Sequence, residues 1–201
     1  MKYVSGTQWL VDSFYPNYKE LFVLTTDLDE TKEYSKETVA VNARQYPLWC
    51  DNKLSETFYH RQFSGNFKPH NNWQNIQEKL FEWTKKTLFD HELNLNIQPT
   101  IAWYMDYQEN GWQSMHNHDS DCVTQVIYLD NLYHYKPQDP PKESAWGSIF
   151  AVIAGGEETI YKTLMPKEGR CILMTGSVLH GVYPVKSTPR RCIVVDYKII
   201  R

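Results

Sequence analysis

This sequence predicts a mainly β fold with flanking helices, built as an antiparallel sandwich or barrel, and three observations carry that expectation. From Asn94 onward, short apolar segments alternate with turn residues: Ile101 to Tyr107, Cys122 to Leu129, Trp146 to Ala154, Thr159 to Leu164, Arg170 to Met174, Val182 to Val185 and Cys192 to Ile200. Regular short strands divided by Gly, Pro, Asn and Asp are the pattern of such sheets. Second, Trp73, Ile76, Leu80 and Trp83 recur at helical spacing in the stretch from Trp73 to about Phe89, opposite Gln74, Glu78, Lys85 and Lys86. This predicts an amphipathic helix over 73–89 that packs on a sheet, with Asn71 or Asn72 available to cap it. Third, 201 residues suffice for one substantial core and are short for two. The chain therefore reads as a single domain, 1–201, with an N-terminal support over 1–95 and a β core over 96–201.

Residues 1–70 are mixed and polar. Their short apolar pieces, Leu21-Phe22-Val23-Leu24 and Tyr46-Pro47-Leu48-Trp49-Cys50, read as strands and loops that wrap the later core. Tyr135 to Lys142 is Pro-rich and reads as a long loop, of the kind that serves as a lid or a connection. A net charge of -3 supplies no global basic field, which disfavours nucleic acid and acidic membranes as partners and leaves a local basic groove open. The longest apolar run, Ile149 to Ala154, is too short to cross a bilayer. The start, Met1 to Thr7, lacks the apolar core of a signal peptide. The four cysteines, Cys50, Cys122, Cys171 and Cys192, are widely spaced with no Cys-x-x-Cys pair, and three lie in apolar strand-like runs. Free thiols buried in this way predict a reducing, cytoplasmic setting and no disulfide framework.

Candidate chemistry gathers at two places. His116 and His118 stand one residue apart in Gln113-Ser114-Met115-His116-Asn117-His118-Asp119. A strand repeats every two residues, so both rings share one face of an extended segment, and neutral imidazole is the commonest metal ligand near pH 7. Two solvated histidines on a polar loop are the plainer alternative. His180 follows an apolar strand, Cys171 to Met174, and a turn, Thr175-Gly176-Ser177, and can supply a third ligand. The second place is Pro189-Arg190-Arg191, which opens the last strand. A guanidinium facing inward there is an unpaired charge unless an anion meets it, and a carboxylate held bidentately is its natural partner. Tyr128 lies an even number of residues from His116, on the ligands' face of a regular strand, and its hydroxyl could share that carboxylate. Solvated strand-end residues are the competing reading of both arginines. Turning Arg190 inward also turns Cys192, Val194 and Asp196 inward; turning Arg191 inward selects Ile193, Val195 and Tyr197, the more apolar set.

These residues carry a family resemblance. The segment Tyr107-Gln108-Glu109-Asn110-Gly111…His116-Asn117-His118…Cys122-Val123-Thr124-Gln125-Val126-Ile127-Tyr128-Leu129 resembles the first metal-binding half of the iron(II)- and 2-oxoglutarate-dependent dioxygenases, in their prolyl-hydroxylase-like branch. The segment Gly169 to Val185, with His180, Val182 and Pro184, followed by Arg190, resembles the second half. The likeness runs from roughly Ile101 to Tyr197, about half the chain. It implies a double-stranded β-helix (jelly-roll, cupin-like) barrel supported by the N-terminal helix. It further implies Fe(II), 2-oxoglutarate as cosubstrate and O2, with His116, His118 and His180 as catalytic metal ligands. Arg190, preferred over Arg191 by its interval from His180, and Tyr128 would grip the oxoglutarate, with Tyr107 near it. The family usually carries His-x-Asp where this chain has His116-Asn117-His118, and a subset is similar to it in carrying His-x-His. Three neutral imidazoles would leave the site one charge more positive. Asp119 or Asp121 could instead bind if the strand ends early or bulges.

The implied reaction is hydroxylation of a protein side chain or small molecule with release of succinate and CO2. Two other readings stay open: a three-histidine dioxygenase that needs no cosubstrate, and a non-catalytic barrel with a vestigial or zinc-filled site. The sequence names no substrate. Trp103 and Trp146 are explained by packing.

Overall fold

The computed structural model describes residues 1–28, 39–51, 70–131, 146–186 and 189–201; the Pro-rich stretch Tyr135 to Lys142 lies outside them. Among the described residues are ten strands: β1 (Lys2–Ser5), β2 (Gln8–Phe14), β3 (Ala40–Cys50), β4 (Ile97–His116), β5 (Cys122–Tyr128), β6 (Ile149–Gly155), β7 (Glu158–Leu164), β8 (Arg170–Thr175), β9 (Leu179–Val182) and β10 (Arg190–Ile199). Two helices accompany them, α1 (Tyr18–Thr25) and α2 (Trp73–Asp90). All strand pairs are antiparallel, in the order β1-β2-β8-β5-β10-β4-β9-β6-β7, with β3 pairing β4 off that path. The sheet rolls until its ends meet. Ser5 Oγ donates to the Gly155 carbonyl at 3.0 Å, and the Ala154 amide donates to Gln8 Oε1 at 2.7 Å. Gly155 makes that seam possible, since a Cβ there would meet Ser5 backbone at 2.6 Å.

Alternation along the strands sorts their side chains into two buried clusters. Trp103, Met105, Tyr107, Val126, Tyr128, Ile172, Met174, Cys192 and Val194 fill the inside of the roll with Ile149, Ala151 and Ile153. Their neighbours Ala102, Tyr104, Ile127, Leu173, Ile193, Val195 and Tyr197 lie against α1 and α2, which contribute Leu21, Leu24, Trp73, Ile76, Leu80 and Leu88. The central strands are thus buried on both faces: every residue of β5 is buried, Thr124 and Gln125 included, and β8 is apolar from Cys171 to Met174.

The helix predicted over 73–89 is α2, with Gln74, Glu78, Lys85 and Lys86 in solvent. Asn72 stands at its N-cap without a side-chain capping bond; its Nδ2 donates to the Val23 carbonyl at 3.4 Å. Other expectations change. Leu21 to Leu24 is helical, in α1, because a short apolar run has no period that separates strand from helix. The residues before 95 are more than a brace: β1 and β2 extend the sheet beside β8, and β3 pairs with β4. β4 continues from Ile97 to His116 rather than stopping near Tyr107, and β9 begins at Leu179, so His180 lies inside a strand. All four cysteines are free and buried. No described helix is long and apolar enough to cross a membrane.

Candidate active site

His116 ends β4 and pairs directly with His180 of β9. His118 follows in the turn toward β5, where its amide donates to the Gly176 carbonyl at 2.7 Å. Gly176 is required there: a Cβ would lie 2.0 Å from the Asp119 carbonyl oxygen. The strand does end before His118, yet this docked turn returns its ring to the cluster. Ring centroids are 4.3 Å apart for His116 and His180, 5.2 Å for His118 and His180, and 5.4 Å for His116 and His118. Each ring offers a nitrogen within 4.8 Å of the other two.

Hydrogen bonding decides which nitrogen that is. Nδ1 of His116 lies 2.9 Å from the Ser114 carbonyl, Nδ1 of His180 lies 3.0 Å from the Val178 carbonyl, and Nδ1 of His118 lies 2.8 Å from Asp196 Oδ2. Each acceptor requires an N–H at Nδ1, which leaves the lone pair on Nε2. Burial, then the nearby His118, lowers His116 to a pKa of about 4. Burial and the other two rings hold His180 well below the ordinary histidine value. For His118 burial works the same way, but the Asp196 carboxylate outweighs it and raises the pKa. Trp103 stacks on the His118 ring at 6.1 Å and 13°.

The two arginines have different surroundings. Arg190 is 1% exposed and faces the inner cluster. Its Nε donates to the Gly147 carbonyl at 2.9 Å, and Nη2 stands 3.5 Å from the Tyr128 hydroxyl. The guanidinium carbon lies 4.3 Å from the Tyr107 ring centroid and 5.1 Å from that of Tyr128. No carboxylate among the described residues meets it. Burial pushes both phenols far above the ordinary tyrosine value, with Arg190 opposing, so they remain neutral donors. Arg191 instead points to the other side and grips Asp130, Nε to Oδ2 at 2.9 Å and Nη2 to Oδ1 at 2.6 Å.

Cation and imidazoles are connected. The Tyr107 hydroxyl donates to Gln113 Oε1 at 2.7 Å, and Gln113 Nε2 lies 3.3 Å from His116 Nε2. Gln113 carries no signal that sequence reasoning could have used. Asp196 did carry one, its even spacing from Arg190, but nothing tied it to His118. Asp119 and Asp121 stay out of the cluster: Asp119 Oδ1 accepts the Asp121 amide, and Asp121 pairs with Arg201 at 2.7 Å. A cavity of about 220 Å³ lies beside them, bounded by Cys122 and Asp196, and none of the three imidazoles lines it.

No family model matches the chain, and no curated protein matches its sequence. Solved structures do match, and they are 2OG-Fe(II) oxygenases. An oxidoreductase of the 2OG-Fe(II) oxygenase family from Burkholderia pseudomallei aligns at 13% identity and a TM-score of 0.62, over 94% of this chain and 84% of its own. A prolyl hydroxylase from Trichoplax adhaerens, solved with a fragment of the hypoxia-inducible factor oxygen degradation domain, aligns at 15% and 0.59, over 96% and 84%. HygX from Streptomyces hygroscopicus, with nickel and 2-oxoglutarate bound, aligns at 10% and 0.56, over 96% and 83%. At such identities the likeness is one of fold, and it agrees with a jelly roll.

Proposed function

We propose that this protein is an iron(II)- and 2-oxoglutarate-dependent dioxygenase. In this reading one domain with a double-stranded β-helix core hydroxylates a protein side chain or a small molecule. The observation that carries the reading is Arg190, a buried guanidinium that meets no carboxylate among the described residues, linked through Tyr107 and Gln113 to three imidazoles that each offer a nitrogen within 4.8 Å of the other two. A buried cation is costly unless an anion meets it, and neutral imidazoles converging at one point are a metal-ligand set. That pair of requirements matches a ligand with a metal-chelating end and a carboxylate end.

When bound there, ferrous iron with 2-oxoglutarate supplies oxidation by dioxygen, with release of succinate and CO2. The chain's own residues do the rest. His116, His118 and His180 would hold the metal. Arg190 holds the far carboxylate through its planar donors, and the Tyr128 hydroxyl donates beside it. The Tyr107 ring, 4.3 Å from the guanidinium carbon, adds a cation–π contact. The apolar interior excludes water from the reacting atoms. A peptide fragment is bound in one structural neighbour and hygromycin B in another, and either class of substrate suits this chain. Buried free thiols favour a cytoplasmic setting.

The test is iron-dependent conversion of 2-oxoglutarate to succinate by the purified protein under air with ascorbate. An absence of both turnover and Fe(II) uptake would sink the proposal. One observation supports a second reading, a three-histidine metal protein without cosubstrate: no carboxylate stands among the three clustered ligands. Calorimetry with 2-oxoglutarate separates the two, since only the oxygenase binds it through Arg190.

A further inference from the structure

We propose that Asp196 is a positioning residue for this metal site, and that through His118 it restores the negative charge a carboxylate ligand would have brought. The inference rests on the metal-site reading above. Asp196 is 5% exposed, near the far end of β10 from Arg190 and on the same face. Its Oδ2 accepts from His118 Nδ1 at 2.8 Å and its Oδ1 accepts from Thr124 Oγ1 at 2.7 Å. Among the described residues no lysine or arginine pairs with it; His118 is its one ionic partner. A buried carboxylate needs positive charge beside it, and His118 alone is placed to convey it among the described residues. A metal on the far nitrogen of His118 would do so while Nδ1 keeps its hydrogen bond to Asp196.

The local structure is built to hold this contact. The register between β10 and β4 slips at Asp196, where Thr100 is the extra residue, and Thr100 Oγ1 donates to the Asp196 carbonyl at 2.9 Å. Bulges of this kind re-aim side chains beside functional sites. Thr124, fully buried on the neighbouring strand β5, fixes the second carboxylate oxygen. Trp103 fixes the ring plane of His118. Orientation, tautomer and basicity of His118 are therefore all set by neighbours. A carboxylate behind a ligating histidine raises its donor strength, so a site of three neutral imidazoles regains one negative charge a layer further out. His116 and His180 have only backbone carbonyls at Nδ1, so this compensation enters at the one position where the related motif would carry Asp.

The test uses the full chain and Co(II) or Fe(II) titrated anaerobically, read by calorimetry and by the d–d spectrum of cobalt. Asp196→Asn keeps the size and can still accept from Nδ1 while donating to Thr124, so it removes charge alone. Its metal affinity is expected to fall by roughly 10- to 100-fold, with a shifted cobalt spectrum and a raised Fe(III)/Fe(II) potential. Thr124→Val, which leaves the charge and loosens its aim, should cost less. Wild-type affinity, spectrum and potential in Asp196→Asn would overturn the proposal, and Thr124→Val remains informative if the first variant does not fold. A wild-type protein that binds neither metal removes the site reading itself, and this inference with it. Asp196 also forms a second constellation with His118 and Cys122. Wild-type cobalt binding in Cys122→Ser supports the proposal, whereas loss of a thiolate-to-cobalt absorption band would put the metal on the wrong side of His118 and overturn it.

Discussion

The two faces of β10 are equally buried and chemically opposite. Its outer face, Ile193, Val195 and Tyr197, meets the helices, and Tyr197 joins a chain of side-chain hydrogen bonds there. The Tyr197 hydroxyl donates to Gln125 Oε1 at 2.8 Å, and Gln125 Nε2 donates to Thr84 Oγ1 of α2 at 3.0 Å. The inner face carries Arg190 at one end and Asp196 toward the other, two opposite charges that do not neutralise each other. Burial by itself therefore marks nothing. A buried polar network that is complete holds a fold together, and one left open at a charge waits for a ligand.

Substitutions along that strand and its neighbours can break or sharpen the contrast. Arg190→Ala is expected to weaken 2-oxoglutarate binding by roughly a hundredfold or more, as loss of one partner of a buried charge pair costs about 2–5 kcal/mol. Iron uptake should persist, and calorimetry with each ligand reads the split. Ile193→Ala, three residues on and facing out, should leave 2-oxoglutarate affinity unchanged while lowering unfolding free energy by about 2–5 kcal/mol, as measured by urea denaturation. A loss of cosubstrate binding there would erase the distinction between the faces. Gln125→Ala removes the acceptor of the Tyr197 hydroxyl, which keeps only its 3.3 Å contact with Thr84, and should destabilise by about 1–2 kcal/mol without moving metal affinity. Arg191→Ala breaks a partly buried, two-pronged pair with Asp130 and should cost about 1–2 kcal/mol with 2-oxoglutarate affinity unchanged. Were Arg191→Ala instead the variant that loses 2-oxoglutarate, the roles of the two arginines would be reversed.

The contrast also explains what could be read beforehand. His116, His118 and His180 were legible because spacing and framing are local properties, even though His118 reaches the cluster by a turn rather than by a continuing strand. The choice between Arg190 and Arg191 was not settled by parity, since hydrophobicity favoured the outward set; α1 and α2 cover that face and make it as apolar as the inside. The helix α2 announced itself by long periodicity, whereas α1 offered too few residues to show any. The pairing of β2 with β8 joins segments more than a hundred residues apart, and no local pattern encodes such a contact. Gln113 and Asp196 take their meaning only from side chains that folding brings to them.

Tyr107, which lies across the ladder from Arg190, and His116 belong to one strand, β4, and the hydrogen bonds of Gln113 span the interval between them. The separation of guanidinium from imidazoles is accordingly fixed by one strand and its side-chain bonds. Under the proposed reading, that spacing would favour a dicarboxylate of one length, since a chain one methylene shorter or longer would reach one anchor and miss the other.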